Sequence, residues 1–188
     1  LAMGLKPREI LEFYEKKGPQ IFPADRKLRH WLKSKHDSAT LRGLLKEVYG
    51  DKTLAADSLC RLVIPTVRAK HGQAEAIVTP HSPDRTAYRD ISAVDAALAS
   101  SAAPTYFDEV TFDGPIALET FLDGGVWANN PILPALAEAV RYLKIPLDRI
   151  DVLSIGTLSS ESDFTDQLGK GKAGWAPHSV DLFFAAQE

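Results

Sequence analysis

With a single cysteine, Cys60, among 188 residues, the chain cannot build an internal disulfide framework or a cysteine zinc site. No apolar run approaches the roughly 20 residues that span a bilayer. Charge of neither sign dominates, and the formal net charge is −3. Residues 1–60 hold 12 Lys+Arg against 8 Asp+Glu, and residues 61–188 hold 10 against 17, so the first third is mildly basic and the remainder acidic. Neither part has the dense cationic stripe that a nucleic-acid partner requires. The motifs G-x-x-x-x-G-K-[ST], H-E-x-x-H and S-x-x-K are absent. His30, His36, His71, His81 and His178 show no metal-ligand pairing at helical spacing and read as surface residues, and a histidine-based triad has no seat. Gly169, Gly171 and Gly174 have G-x-G-x-x-G spacing. They follow a long polar loop rather than joining a strand to a helix, so they read as loop. No metal site and no organic cofactor is expected.

What is present describes a soluble globular protein: 45% hydrophobic and 25% charged, at a length that suits one domain over residues 1–188. Pro7 starts a helix carrying Ile10, Leu11 and Tyr14, which Gly18-Pro19 should stop, with loop over 18–27. A short basic helix is expected over Leu28–Lys35 around Trp31 and Leu32, with a solvated face packed through Trp31 as its simplest role. Its functional alternative is contact with an anionic lipid interface. Thr40 is the expected cap of a helix bearing Leu41, Leu44, Leu45 and Val48 and ending at Gly50. Leu62–Val67 and Ala74–Thr79 are β-branched runs separated by His71-Gly72-Gln73, which predicts a hairpin. Ser92, with Asp95 three residues on, opens an Ala-rich helix over Ala93–Ser100, whose small side chains suit close packing on a sheet. Val110–Phe112 and Ile116–Leu122 read as strands, and Asp113-Gly114 as a turn. Pro131–Lys144 reads as a helix with Leu136, Val140 and Leu143 on one face. Asp151–Gly156 has the pattern of a buried strand, residues 157–174 that of a mobile loop, and Val180–Ala186 that of a terminal helix. Cys60 is expected to be a buried small residue before a strand. Strands alternating with amphipathic helices predict an α/β sandwich.

The stretch richest in chemistry is Phe121-Leu122-Asp123-Gly124-Gly125-Val126-Trp127-Ala128-Asn129-Asn130-Pro131. Asp-Gly is a common turn dipeptide. Here, however, the carboxylate ends an apolar strand, and a helix opens soon afterwards with Asn130 as its expected cap and Pro131 at its first position. α/β proteins place active groups at that edge of a sheet. The glycines clear side chains from the approach, and Phe121 and Leu122 would desolvate Asp123 and make it a better base.

These residues resemble the patatin-like phospholipases, serine lipid acyl hydrolases. Asp123-Gly124-Gly125 with Asn129-Asn130-Pro131 is similar to that family's catalytic-aspartate block. Ser100-Ser101-Ala102-Ala103-Pro104-Thr105-Tyr106-Phe107 resembles its S-A-A-P-T-Y-F block. Leu153-Ser154-Ile155-Gly156-Thr157 resembles a late strand, with Leu158 where a glycine is common. Pro7–Ile10, Gly18–Pro23 and Tyr49–Leu54 fit further segments in the same order.

The resemblance implies a three-layer α/β/α sandwich with a central mixed sheet, and a Ser–Asp dyad without histidine. The serine would sit on a G-x-S-x-G elbow, with an oxyanion loop of glycine-rich backbone. Neither motif occurs in these 188 residues. Leu1–Gly4 reads as the last turn of a helix, so the expectation is a domain that begins in mid-element. The N-terminal strand and elbow would then precede Leu1, with the serine about ten residues upstream. Asp123 is carried over as general base, and Gly124, Gly125, Asn129 and Asn130 as support for its turn. Ser100 and Ser101 are not on an elbow and read as structural. The implied substrate is a lipid ester, met by a cytoplasmic protein through transient contact at a membrane surface. These residues alone should be inactive. Some bacterial members are switched on by small signalling molecules, and no motif here marks such a site. The competing reading is a non-catalytic patatin-like module that binds lipid or a partner protein.

Overall fold

Two β-branched runs, Val63–Arg68 (β1) and Gln73–Val78 (β2), pair antiparallel from Val63↔Val78 to Arg68↔Gln73. Their connection is a single tight turn over Ala69–His71, closed by Gly72 at φ 58°. This computed structural model describes residues 1–23, 36–112, 119–156, 163–171, 175 and 178–187. Two further strands, Val110–Thr111 (β3) and Thr120–Asp123 (β4), complete a sheet of order β2-β1-β4-β3. β4 lies beside β1 with Thr66 opposite Asp123. The α/β class stands. All the pairings among the described residues are antiparallel, where a mixed sheet was expected, because the β1–β2 hairpin and the returning β4 supply every ladder there.

Helix α4 (Ala93–Ser101) is the main layer on this sheet. The Ser92 hydroxyl oxygen accepts the Asp95 N–H at 2.9 Å, which caps the helix as its sequence requires. Ala93, Val94, Ala96, Leu98 and Ala99 are all buried, because small side chains let the helix axis approach the strands. Beneath it, Phe121 and Ile77 are fully buried, and the Phe112 and Phe121 rings lie 4.7 Å apart between centroids. Two helices stack outward from α4. Helix α2 (Ser38–Tyr49) is joined to it by Arg42 Nη1–Asp95 Oδ1 at 2.6 Å. Helix α1 (Pro7–Ile21) is joined to α2 by Lys17 Nζ–Glu47 Oε2 at 3.2 Å. The four-residue α3 (Leu54–Asp57) anchors Leu54 in the core through its N–H to the Ile91 carbonyl. Met3 joins the same core, and Gly4 turns at φ 88° behind it.

Several local expectations are corrected. Helix α1 runs through Gly18-Pro19 to Ile21 instead of stopping there, and the expected 18–27 loop begins later. Pro19 falls in the last turn, where its missing N–H removes one backbone bond, and the Phe22 N–H still closes on the Gly18 carbonyl at 2.8 Å. Asp37, not Thr40, caps α2: its carboxylate accepts both the Ala39 N–H and the Thr40 hydroxyl. Cys60 is exposed.

Helix α6 (Ile132–Arg141) differs most from its sequence pattern. Its one buried residue is Glu138, while Leu133 is 77% exposed and Val140 is also exposed. Glu138 is held by two cationic or imidazole partners, His81 and Arg85, so the polar face of the helix turns inward. His36 is likewise buried, and the His81 side chain is enclosed although the residue as a whole is only partly buried. Residues 151–156 form no strand, and Leu153 and Ile155 are 84% and 85% exposed. The apolar pattern was correct for a central strand, but a strand needs neighbours on both edges and a covering layer. Among the described residues no strand pairs with this segment, and α6 faces it only across a groove.

The terminal helix α7 (Ser179–Ala185) forms as expected. The basic segment around Trp31, the 116–118 part of the expected strand and the Asp113-Gly114 turn lie outside the described residues. So do Gly174 and part of the 157–174 loop. Within that loop, Thr165–Gln167 makes one tight turn, and Gly169 and Gly171 have positive φ.

Candidate functional site

Asp123 is the last residue of β4, and its position is set by three other segments. Its own N–H donates to the Ala102 carbonyl at 3.0 Å, which pins the strand end to the loop following α4. That loop carries Ala103-Pro104-Thr105-Tyr106-Phe107, so the two blocks that resemble the family most are in direct contact. Thr105 holds φ 72°, a left-handed conformation that costs a β-branched residue roughly 1–2 kcal/mol. The Tyr106 and Phe107 N–H groups both fold back to the Ala103 carbonyl, which keeps the loop in this shape.

Gly124 and Gly125 are required by space, since neither has positive φ. A Cβ on Gly124 would lie 2.1 Å from the backbone C and O of Pro65 in β1. A Cβ on Gly125 would lie 2.6 Å from Cε1 of Phe184 and 3.1 Å from Oδ1 of Asp123. The chain therefore turns against β1 with no room for side chains, and it enters the short helix α5 (Gly125–Ala128) at once. Trp127 fixes α5 to the sheet: its indole Nε1–H donates to the Thr66 carbonyl at 2.8 Å. Thr66 is fully buried, and its hydroxyl lies 2.8 Å from the Leu122 carbonyl and 3.2 Å from that of Ala99. One residue thus joins β1, β4, α4 and α5.

The carboxylate has two unlike oxygens. Oδ1 accepts the Gly125 N–H at 2.7 Å, and Oδ2 has no hydrogen bond among the described residues. Burial pushes the Asp123 carboxyl above its ordinary range, and the Gly125 N–H partly opposes that shift. The result is a half-buried carboxylate, oriented through one oxygen and open at the other.

Asn130 does act at the start of α6: its Oδ1 accepts the Ile132 N–H at 3.2 Å, across Pro131. The Asn129 N–H donates to Oε1 of Gln187 at 2.8 Å. Ser100 and Ser101 are engaged with backbone, Ser100 on the Pro65 carbonyl and Ser101 on that of Ala97, each at 2.8 Å. They brace α4 and carry no nucleophile geometry.

The residues missed from the sequence are Glu138, Arg85 and Gln187, because their partners are 53 to 62 positions away. Glu138 accepts from His81 Nε2 at 3.1 Å, and Nδ1 of His81 faces the Thr79 hydroxyl at 3.2 Å. Burial, then the charges of Arg61 and Arg85, hold His81 below the usual imidazole range. A neutral ring with its proton on Nε2 fits both bonds. The Thr79 oxygen also accepts the Leu62 N–H. This chain of bonds ties α6 to the sheet.

Three grooves stand out on the surface among the described residues. One of about 410 Å³ lies between α1 and α2, lined by Ile10, Phe13 and Tyr49. Another of about 730 Å³ lies beside Leu59, Arg61 and His81, and a third of about 450 Å³ between α6 and residues 150–155. Asp123 lines none of the three. Among the described residues no group of three or more His, Cys, Asp or Glu side chains is placed to hold a metal, and no helix is long and apolar enough to cross a membrane.

A family model for patatin-like phospholipases matches residues 1–136. A cGAMP-activated phospholipase of Vibrio cholerae is 32% identical over 93% of the chain and 53% of its own length. One of Pseudomonas aeruginosa is 33% identical over 100% of the chain and 58% of its own length. Patatin-like protein 2 of Arabidopsis thaliana is 32% identical over 95% of the chain and 51% of its own length. The chain thus spans a little over half the length of these relatives. A strand-end aspartate braced by an Ala-Ala-Pro-Thr loop, and a family model matched over most of the sequence, make this chain a member of the patatin-like phospholipase family.

Proposed function

We propose that this chain supplies the aspartate half of a lipid acyl hydrolase, with Asp123 as general base for a serine contributed by polypeptide preceding Leu1. The observation that carries the reading is the asymmetric carboxylate: Oδ1 is held by the Gly125 N–H and Oδ2 is left to receive a proton. Its burial supports the role, since a base whose proton affinity is raised takes a hydroxyl proton more readily. In the proposed step the serine oxygen bonds to the ester carbonyl carbon as its proton passes to Asp123. Collapse of the tetrahedral intermediate expels the alcohol, which takes that proton back. Water then cleaves the acyl-serine by the same route. No G-x-S-x-G lies within these residues, and the chain spans a little over half of its relatives, which supports a nucleophile outside it.

The test uses the complete protein. It should hydrolyse a medium-chain nitrophenyl ester and label with a fluorophosphonate, and Asp123→Asn should abolish turnover. Unchanged turnover in that variant would refute the role of Asp123. Absence of fluorophosphonate labelling in the complete, folded protein would favour the non-catalytic module instead. Because two relatives are named as cGAMP-activated, the assay is run with and without cGAMP. A rise in turnover on its addition is the expected result. Ester substrates of this class reside in membranes, so the proposal includes transient contact with a lipid surface.

A further inference from the structure

The short helix that orients Asp123 is completed by a side chain from the far end of the sequence. α5 has four residues, and its first position, capped by Gly124, has no side-chain cap. An isolated turn of this length has no stability of its own. Its missing partners come from Gln187, just beyond α7. The Gln187 Nε2 donates to the carbonyls of Gly125 at 3.0 Å and Val126 at 3.1 Å, while Oε1 accepts the Asn129 N–H at 2.8 Å. The same nitrogen also reaches the Phe183 carbonyl at 2.8 Å, which ties the carboxamide to its own helix. Only a carboxamide can donate to two carbonyls and accept from an amide at once, so the group stands in for a further turn of backbone. Phe184 of the same helix closes over Gly125, and the Asp181 carboxylate accepts the Tyr106 hydroxyl at 3.3 Å. Helix α7 is therefore seated on both blocks that meet at Asp123.

We propose that Gln187 is a positioning residue for Asp123: it holds Gly125 through that residue's carbonyl, and the N–H of the same glycine holds Oδ1 and so leaves Oδ2 aimed at the incoming proton. The inference rests on the reading of Asp123 as general base. Loss of the Gln187 bonds lets α5 drift, weakens the Gly125 N–H contact and removes the one influence that lowers the proton affinity of the carboxylate.

The experiment compares Gln187→Glu and Gln187→Ala with Asp123→Asn in the complete protein, reading kcat, KM, the acid limb of the kcat–pH profile and Tm. Glutamate keeps the size and the acceptor but loses every contact donated by Nε2, to the Gly125, Val126 and Phe183 carbonyls. Both Gln187 variants should lower kcat about tenfold with KM changed less than about twofold, and shift the acid limb to higher pH. An unmoved acid limb, with kcat unchanged or falling only alongside Tm, overturns the proposal and leaves Gln187 a purely structural contact. If Asp123→Asn also retains wild-type turnover, the general-base reading itself has failed, and this inference with it. If Asp123→Asn is inactive while the Gln187 variants behave as wild type, only the positioning role is lost.

Discussion

The turn after β4 and the segment after α6 contain comparable apolar sequence, yet they are organised in opposite ways. At Gly124 backbone lies against backbone, the Trp127 indole is bonded to the sheet, and the carboxylate is held from one side. At residues 151–156, ten positions past the end of α6, Leu153 and Ile155 face outward and Gly156 has nothing within 4 Å of its would-be Cβ. Hydrophobic pattern alone does not bury a segment. Burial follows from close contact with a neighbouring surface, and β1 provides that for Gly124 while α6 faces Leu153 only across an open groove.

The widest gap between the two regions should appear on adding a methyl group. Gly124→Ala forces a Cβ into the Pro65 backbone and should cost about 3 kcal/mol, read as a lowered denaturant midpoint. Gly156→Ala should change stability by less than about 0.5 kcal/mol in the same measurement. Equal effects would show that the two turns are alike. A smaller effect is expected for Trp127→Phe, which keeps the ring and removes the bond to the Thr66 carbonyl, at about 1 kcal/mol. Smaller still, and dependent on pH, is Asp123→Asn. The folded-state proton affinity of Asp123 is raised, so the folded chain holds that proton more tightly than the unfolded one. Stability is therefore lost as pH rises from the ordinary carboxylate value, about 3.9, through the raised one, and the loss is complete above it. Asparagine escapes this penalty, so the variant should have the higher Tm at pH 7, and the gap should close below about pH 4 by calorimetry. Least affected should be Leu153→Ser, with Tm unchanged within about 1 °C because the side chain is already in solvent.

The features legible in the sequence are those whose cause is local. Ser92 with Asp95, Gly50 after α2 and the paired runs of the hairpin each declare themselves within a few residues, and each forms. Asp123 was legible as a strand end followed by glycines, although the reason for Gly124 was not: its constraint is Pro65, far back in β1. Glu138 shows the limit most clearly. The periodicity of α6 placed Leu136 and Val140 inward, whereas the pull of Arg85 and His81 placed a carboxylate there instead. A buried charge with distant partners leaves no trace in hydrophobic spacing. Helix α1 overran Gly18-Pro19 for a related reason, since a proline in a final turn removes only one bond.

Proline at position 65 has a consequence for its neighbour as well as for its own strand. The ladder between β1 and β4 ends at Thr66 opposite Asp123, and the next residue of β1 has no amide hydrogen with which to extend it. The stop signal for β4 is thus encoded in a different strand, almost sixty residues earlier. Shifting β1 by one position against β4 would relocate the point at which β4 leaves the sheet and turn the side chains of β1 itself to the opposite face.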